Sequence, residues 1–95
     1  MAAELDRTYP VWQQIAAIIA ARVAAGEYDP AHRLPSVMEV STEFDVATST
    51  AGKAMTRLKE AGVIRRVQGL GTFVADNGPE VAGTEPFGPL PHTSA

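Results

Sequence analysis

Thr48, Ser49 and Thr50 stand in a row, Lys53 follows three residues on, and Arg57 four after that. On a helix these residues occupy its first three turns, where hydroxyls and cations donate to anionic oxygens and to the edges of planar heterocycles. Arg33 and Ser36 precede this run, and Arg65, Arg66, Gln68, Gly69 and Gly71 follow it. Ser36, at a helix start, offers a hydroxyl and amides to a phosphate. Gly69 and Gly71 let backbone come close to a phosphate or a groove floor, where a side chain would collide. Other chemistries find little support. Glu39, Glu43 and Asp45 could be paired as acid and base, but their helical spacing reads more simply as a solvated face plus a cap. His32 and His92 lie sixty positions apart, unlike a metal pair. With no glycine-rich loop after a strand and no nucleophile elbow, no catalytic residue, metal or cofactor is expected, and the chain is not read as an enzyme.

Three helices and a hairpin must position these residues. Val11, Ile15, Ile18, Ile19 and Val23 recur at helical spacing after Pro10, and Gly26 stops that helix as a left-handed cap would. The connector at 27–35 carries Pro30 and Pro35, which discourage helix. Ser36 and Glu39 form a capping box for a second helix with Val37, Val40 and Phe44 as its buried stripe, ending in a tight turn at Asp45 and Val46. The third begins at Ala47 or Thr48, with Thr48, Ser49 and Thr50 as hydroxyl caps. Ala51, Ala54, Met55 and Leu58 form its apolar side before Gly62. Strands are predicted at 63–67 and 72–75 around a glycine-rich tip. Arg65 and Arg66 alternate across the first strand, so one faces outward and the other covers the core edge; Arg65 is placed among the contacts. Residues 1–8 form a flexible end. Residues 77–95 hold four of the seven prolines without amphipathic period and are predicted as a disordered tail, leaving 9–76 as the domain.

The totals fit one small core: 95 residues, 45% hydrophobic, 20% charged, and no cysteine to supply a disulfide or a thiolate metal site. The most apolar stretch, 11–25, is broken by Gln13, Gln14 and Arg22, so neither a membrane span nor a leader is expected and the location is read as cytoplasmic. Net charge is −3, which opposes binding to a polyanion, but the acidity is concentrated at the two ends. Residues 33–66 hold six basic side chains against four acidic ones.

Helix, helix, turn, helix and two-stranded hairpin is the layout of a winged helix-turn-helix: mainly α with a small β-hairpin, three helices plus a two-stranded wing. Leu34-Pro35-Ser36, Ala61-Gly62-Val63-Ile64 and Gln68-Gly69-Leu70-Gly71-Thr72-Phe73-Val74 resemble the three fixed stretches of the GntR family of transcription regulators. The likeness covers 9–76, about seven tenths of the chain. It implies a sequence-specific DNA-binding regulator, a repressor occupying an operator, with the third helix in the major groove and the wing on the flanking groove. Arg33, Ser36, Thr48, Ser49, Thr50, Lys53, Arg57, Arg65, Gln68, Gly69 and Gly71 are the contacts expected. Three family arginines are absent, replaced by Met38, Thr48 and Gly52. Threonine methyls can meet thymine, hydroxyls can meet base edges, and Gly52 lets the helix sit deeper. A different or weaker recognition follows. The alternative is a winged-helix module for protein–protein interaction with weakened DNA binding. The expected partner is double-stranded DNA, met by two copies of the chain, with helix one and Trp12 supplying contacts between them. Tyr9 and Trp12 otherwise read as core or partner-facing bulk, and no small-molecule effector domain is visible.

Overall fold

The computed structural model describes residues 5, 8, 10–28 and 33–84. Its elements are α1 (Val11–Ala24), α2 (Val37–Phe44), α3 (Thr48–Ala61), β1 (Ile64–Val67), β2 (Gly71–Val74) and α4 (Gly78–Thr84). Tyr9, Pro30, His32 and residues 85–95, His92 among them, lie outside the described residues.

Ile15, Ile19 and Val23 of α1 are buried as their spacing predicts, with Val11 and Ile18 half-buried. Gln14, Ala16, Ala17 and Ala20 are buried too. The buried arc exceeds a single stripe because α1 packs against both α3 and α4. Phe44, Leu58, Val40 and Val63 complete the centre of the core. On the outer side of α1, Arg22 donates to Glu43 of α2 at 2.6 Å and to the Tyr28 hydroxyl at 3.2 Å. The same guanidinium lies 5.6 Å from the centroid of the Phe44 ring. One charged side chain thereby ties the end of α1 to the end of α2.

All three long elements end alike. Gly26, Asp45 and Gly62 have positive φ. The next amide reaches back to a carbonyl of the last turn: Glu27 to Arg22 at 2.9 Å, Val46 to Ser41 at 3.0 Å, and Val63 to Leu58 at 3.0 Å. These bonds satisfy carbonyls that a helix end leaves open. Asp45 achieves this without being glycine, which a short polar side chain permits. The start of α3 differs from expectation. Its cap is Ala47, in extended backbone and without a side-chain hydrogen bond. The turn at Asp45 and Val46 delivers the chain into the helix early, so Thr48, Ser49 and Thr50 fall inside it, too late to cap. Val37 is likewise not part of the buried stripe: it is 37% exposed, and Ser41 takes the inward place beside Val40 and Phe44.

β1 and β2 pair antiparallel from Ile64 with Val74 to Val67 with Gly71. Ala75 donates to Val63 at 3.0 Å, extending the ladder, and Leu34 donates to Thr72 at 2.6 Å, laying the connector along β2.

The predicted disordered tail from 77 is overturned over Gly78–Thr84, which is helical. Pro79 is tolerated in the first turn of a helix, and Val81 and Ala82 are half-buried against the core. Gly78 is buried. A Cβ there would collide with the carbonyl oxygen of Val63 and stand 2.8 Å from Cγ1 of Val74. Gly78→Ala is therefore expected to cost about 1–3 kcal/mol, the usual range for overpacking. Chemical denaturation reads the loss, and faster amide exchange along the α1 face under α4 locates it; unchanged stability and exchange would show the clash absorbed without undocking.

Candidate nucleic-acid interface

An open groove runs between the first turn of α2, the first half of α3 and the hairpin. One stretch, about 490 Å³, is lined by Arg33, Ser36, Met38, Thr48 and Gly71 among others. A second, about 160 Å³, is lined by Gly52, Thr56 and Lys59 over Met55 and Ile64. Val37, Arg66 and Thr72 line both, so the stretches are continuous. Among the described residues that line them none carries a carboxylate; that of Glu39 meets the edge of the groove at the Ser36 amide, 2.8 Å away. A chain of net charge −3 thus presents Arg33, Lys59 and Arg66 along one groove whose described lining holds no acidic side chain.

Local geometry holds each part. The bond from Leu34 to Thr72 brings Arg33 beside the wing, where its Cδ lies 3.5 Å from the place a Cβ of residue 71 would occupy. Gly71 has φ +122, a conformation that side-chain-bearing residues rarely adopt, so glycine here suits both the turn out of the tip and the close passage of Arg33. Ser36 receives a hydrogen bond from the Glu39 amide at 3.1 Å and donates its own amide to Glu39 Oε1 at 2.8 Å. The bond from the Ser36 amide, then the Ser36 side chain and the charge of Arg33, hold the Glu39 carboxyl below the usual carboxylate range. The start of α2 therefore carries its own anion. The Ser36 amide expected to cradle a phosphate is already engaged, leaving the hydroxyl proton to point elsewhere.

The candidate residues of α3 divide. Thr48 lines the groove, Ser49 is exposed and Thr50 is half-buried. Lys53 and Arg57 line a separate depression of about 340 Å³ with Trp12 and Glu60, on the side of α3 toward α1. A helix advances by about 100° per residue, so Thr48, Gly52 and Lys59 share one flank while Lys53 and Arg57 fall on the other. On the wing, Arg65 and Arg66 are both exposed, which corrects the expectation that one would cover the core edge. Arg66 enters the groove and Arg65 does not. Ile64 faces the core, and with a period of two Arg66 continues its face outward over α3. That signal was present in the sequence. Gln68, Gly69 and Leu70 sit exposed at the tip. Sequence reasoning also missed Val37 and Thr72 as groove residues, while Met38, seen only as a lost arginine, proves to be 69% exposed within it. Gly52 has no neighbour within 4 Å of where its Cβ would stand, so the fold itself does not demand glycine there. Among the described residues, no group of three His, Cys, Asp or Glu could hold a metal ion, and no helix is long and apolar enough to cross a membrane.

Comparison with known proteins places residues 12–74 within the family described as bacterial regulatory proteins, gntR family. The chain is 31% identical over 67 residues to the histidine utilization repressor of Pseudomonas aeruginosa, and 36% identical over 67 residues to the mannosyl-D-glycerate transport/metabolism system repressor MngR of Escherichia coli K12. Each alignment takes in 70% of this chain; the chain spans only 27% and 28% of those two repressors' lengths. Among solved structures, a GntR family transcriptional regulator from Listeria monocytogenes matches with a TM-score of 0.75 and 27% identity, over 83% of this chain and 71% of that one. AraR(DBD) in complex with operator ORE1 matches with a TM-score of 0.63 and 33% identity, over 67% of this chain and 78% of the other.

Proposed function

The chain belongs to the GntR family of bacterial regulatory proteins, and from that premise we propose that it binds duplex DNA as the reading head of a transcription repressor. The first half of α3 lies in the major groove, with Thr48 and Ser49 toward the base edges and Gly52 giving clearance. Arg33, Arg66 and Lys59 meet phosphates, as does the backbone of the tip at Gly69 and Gly71, with Gln68 reaching the adjacent groove. Ser36 contributes its hydroxyl. Thr50 supports the first turn, and Arg65, Lys53 and Arg57 are peripheral, close enough to the duplex to add charge but outside the groove.

The observation that carries this proposal is a groove lined by three cations and, among the described residues, by no acidic side chain, on a chain that is otherwise acidic; Glu39, at its edge, is held by the Ser36 amide. A polyanion fits the groove, and an acidic partner protein would need to reproduce the phosphate spacing. Repression by operator occupation is the mode we assign, in line with the names of the two relatives. One such module buries little surface. Two copies on a palindromic or repeated site are proposed, with Trp12 on α1 near their contact. The chemistry is binding, without a catalytic step, in the cytoplasm.

Fluorescence anisotropy on DNA from upstream of its own gene and on a scrambled duplex, across a salt series, tests this. Tighter binding to the native fragment is expected, with log K falling linearly against log salt at about 0.9 per phosphate neutralised. Equal, salt-insensitive binding to both duplexes would favour a protein partner instead.

A further inference from the structure

Resting on the DNA-binding reading above, we propose that Met38, which lines the groove with Val37 and Thr48, recognises the 5-methyl group of a pyrimidine, thymine first.

Val37, Met38 and Leu70 are the exposed large apolar side chains among the described residues, and two of the three are consecutive at the start of α2. Both line the groove, and Met38 is 69% exposed there, opposite Thr48 at the start of α3. Arg33 and Arg66 line the same stretch, and no described residue lining it carries a carboxylate. The cations draw the phosphates on each side of a major groove while the apolar pair faces its floor. A thioether is a poor acceptor and no donor, so Met38 has nothing to offer guanine O6 and N7, cytosine N4 or adenine N6. The pyrimidine 5-methyl is the one apolar feature the major groove displays. An unbranched, polarisable side chain with three rotatable bonds can follow its position. Gly52 adds the space for approach: nothing lies within 4 Å of its absent Cβ, so α3 can settle toward the bases beside Met38.

Two sources carry this methyl group, thymine and 5-methylcytosine, and the experiment separates them. Duplexes retained by the full chain are selected from a random 20-base-pair pool and sequenced. The enriched duplexes are then remade one position at a time with deoxyuridine for thymidine, and separately with 5-methylcytosine for cytosine, and titrated by anisotropy. Loss of the methyl is expected to weaken binding about fourfold for each one contacted, the worth of one buried apolar carbon. Met38→Ala, at an exposed position where circular dichroism should show the fold unchanged, should lose the uracil penalty at the position Met38 reads, while any penalty owed to the Thr48 methyl persists at another. Met38→Arg should enrich guanine at the positions where wild type enriched thymine. A gain on cytosine methylation without a loss on uracil would keep Met38 as reader and assign it 5-methylcytosine. Tight binding in which thymine and uracil duplexes are equal and cytosine methylation changes nothing, or methyl discrimination left unchanged by Met38→Ala at every position, overturns the assignment while leaving DNA binding in place. Retention of no duplex at any salt overturns both.

Discussion

Phe44→Ala is expected to lower the melting midpoint by roughly 12–40 °C, the product of a cost of about 3–5 kcal/mol for emptying a buried phenylalanine site and 4–8 °C per kcal/mol in a domain of this size. Phe44 is 1% exposed and is the largest fully buried side chain among the described residues. It closes α2 against the core beneath the Arg22 guanidinium, which lies 5.6 Å from its ring centroid. Alanine removes the ring from the core and leaves Arg22 facing a void. A domain of this length has about 5–14 kcal/mol in hand, so the loss is a large part of the whole. Thermal melting by far-ultraviolet circular dichroism checks it, with Phe44→Leu as the volume-sparing comparison that should recover much of the difference. A midpoint within a few degrees of wild type for the alanine variant would mean that α1 and α3 close over the gap.

The largest effect expected on function is that of the double variant Arg33→Ala with Arg66→Ala, which we propose removes two phosphate contacts at once. The slope of log K against log salt should fall by about 1.8, two counterions' worth at 0.9 each. Affinity at low salt should drop roughly a hundredfold if each charge-assisted bond contributes about 1.5 kcal/mol. Both residues are exposed, so the fold should be untouched. Arg65→Ala is the comparison: it has the same charge and strand but lies outside the groove, and a change under about threefold is expected. If Arg65 proves as costly as Arg66, the wing meets DNA by its other face.

Much of the fold was legible because the signals were local. The capping box at Ser36 and Glu39, the reversals at Gly26 and Gly62, and the buried run Ala51, Ala54, Met55 and Leu58 each depend on residues within one or two turns. What was not legible depends on neighbours distant in sequence. Residues 78–84 have almost no period of their own; they are helical where α1 offers Val81 and Ala82 a surface. Val37 has the right type and spacing for the core but lines the open groove between α2, α3 and the hairpin instead. That Thr48 and the pair Lys53 and Arg57 fall on different flanks follows from the period of α3 itself, but which flank meets the groove depends on where α1 and the wing stand. The choice between Arg65 and Arg66 was within reach, because Ile64 had only to be recognised as core for Arg66 to share its face.

The single amide bond from Leu34 to Thr72 gives the wing a kind of proofreading. A lone two-stranded hairpin is marginal in water, and its strands can slip by a residue at little cost. Here a slip would sever the connector from β2 and turn Ile64 out of the core along with Arg66 out of the groove. Misalignment of the wing is thus penalised in the hydrophobic interior before it can be felt at the surface. The spacing between Arg33 and Arg66 is settled when the chain folds, and little of it remains to be arranged when a ligand arrives.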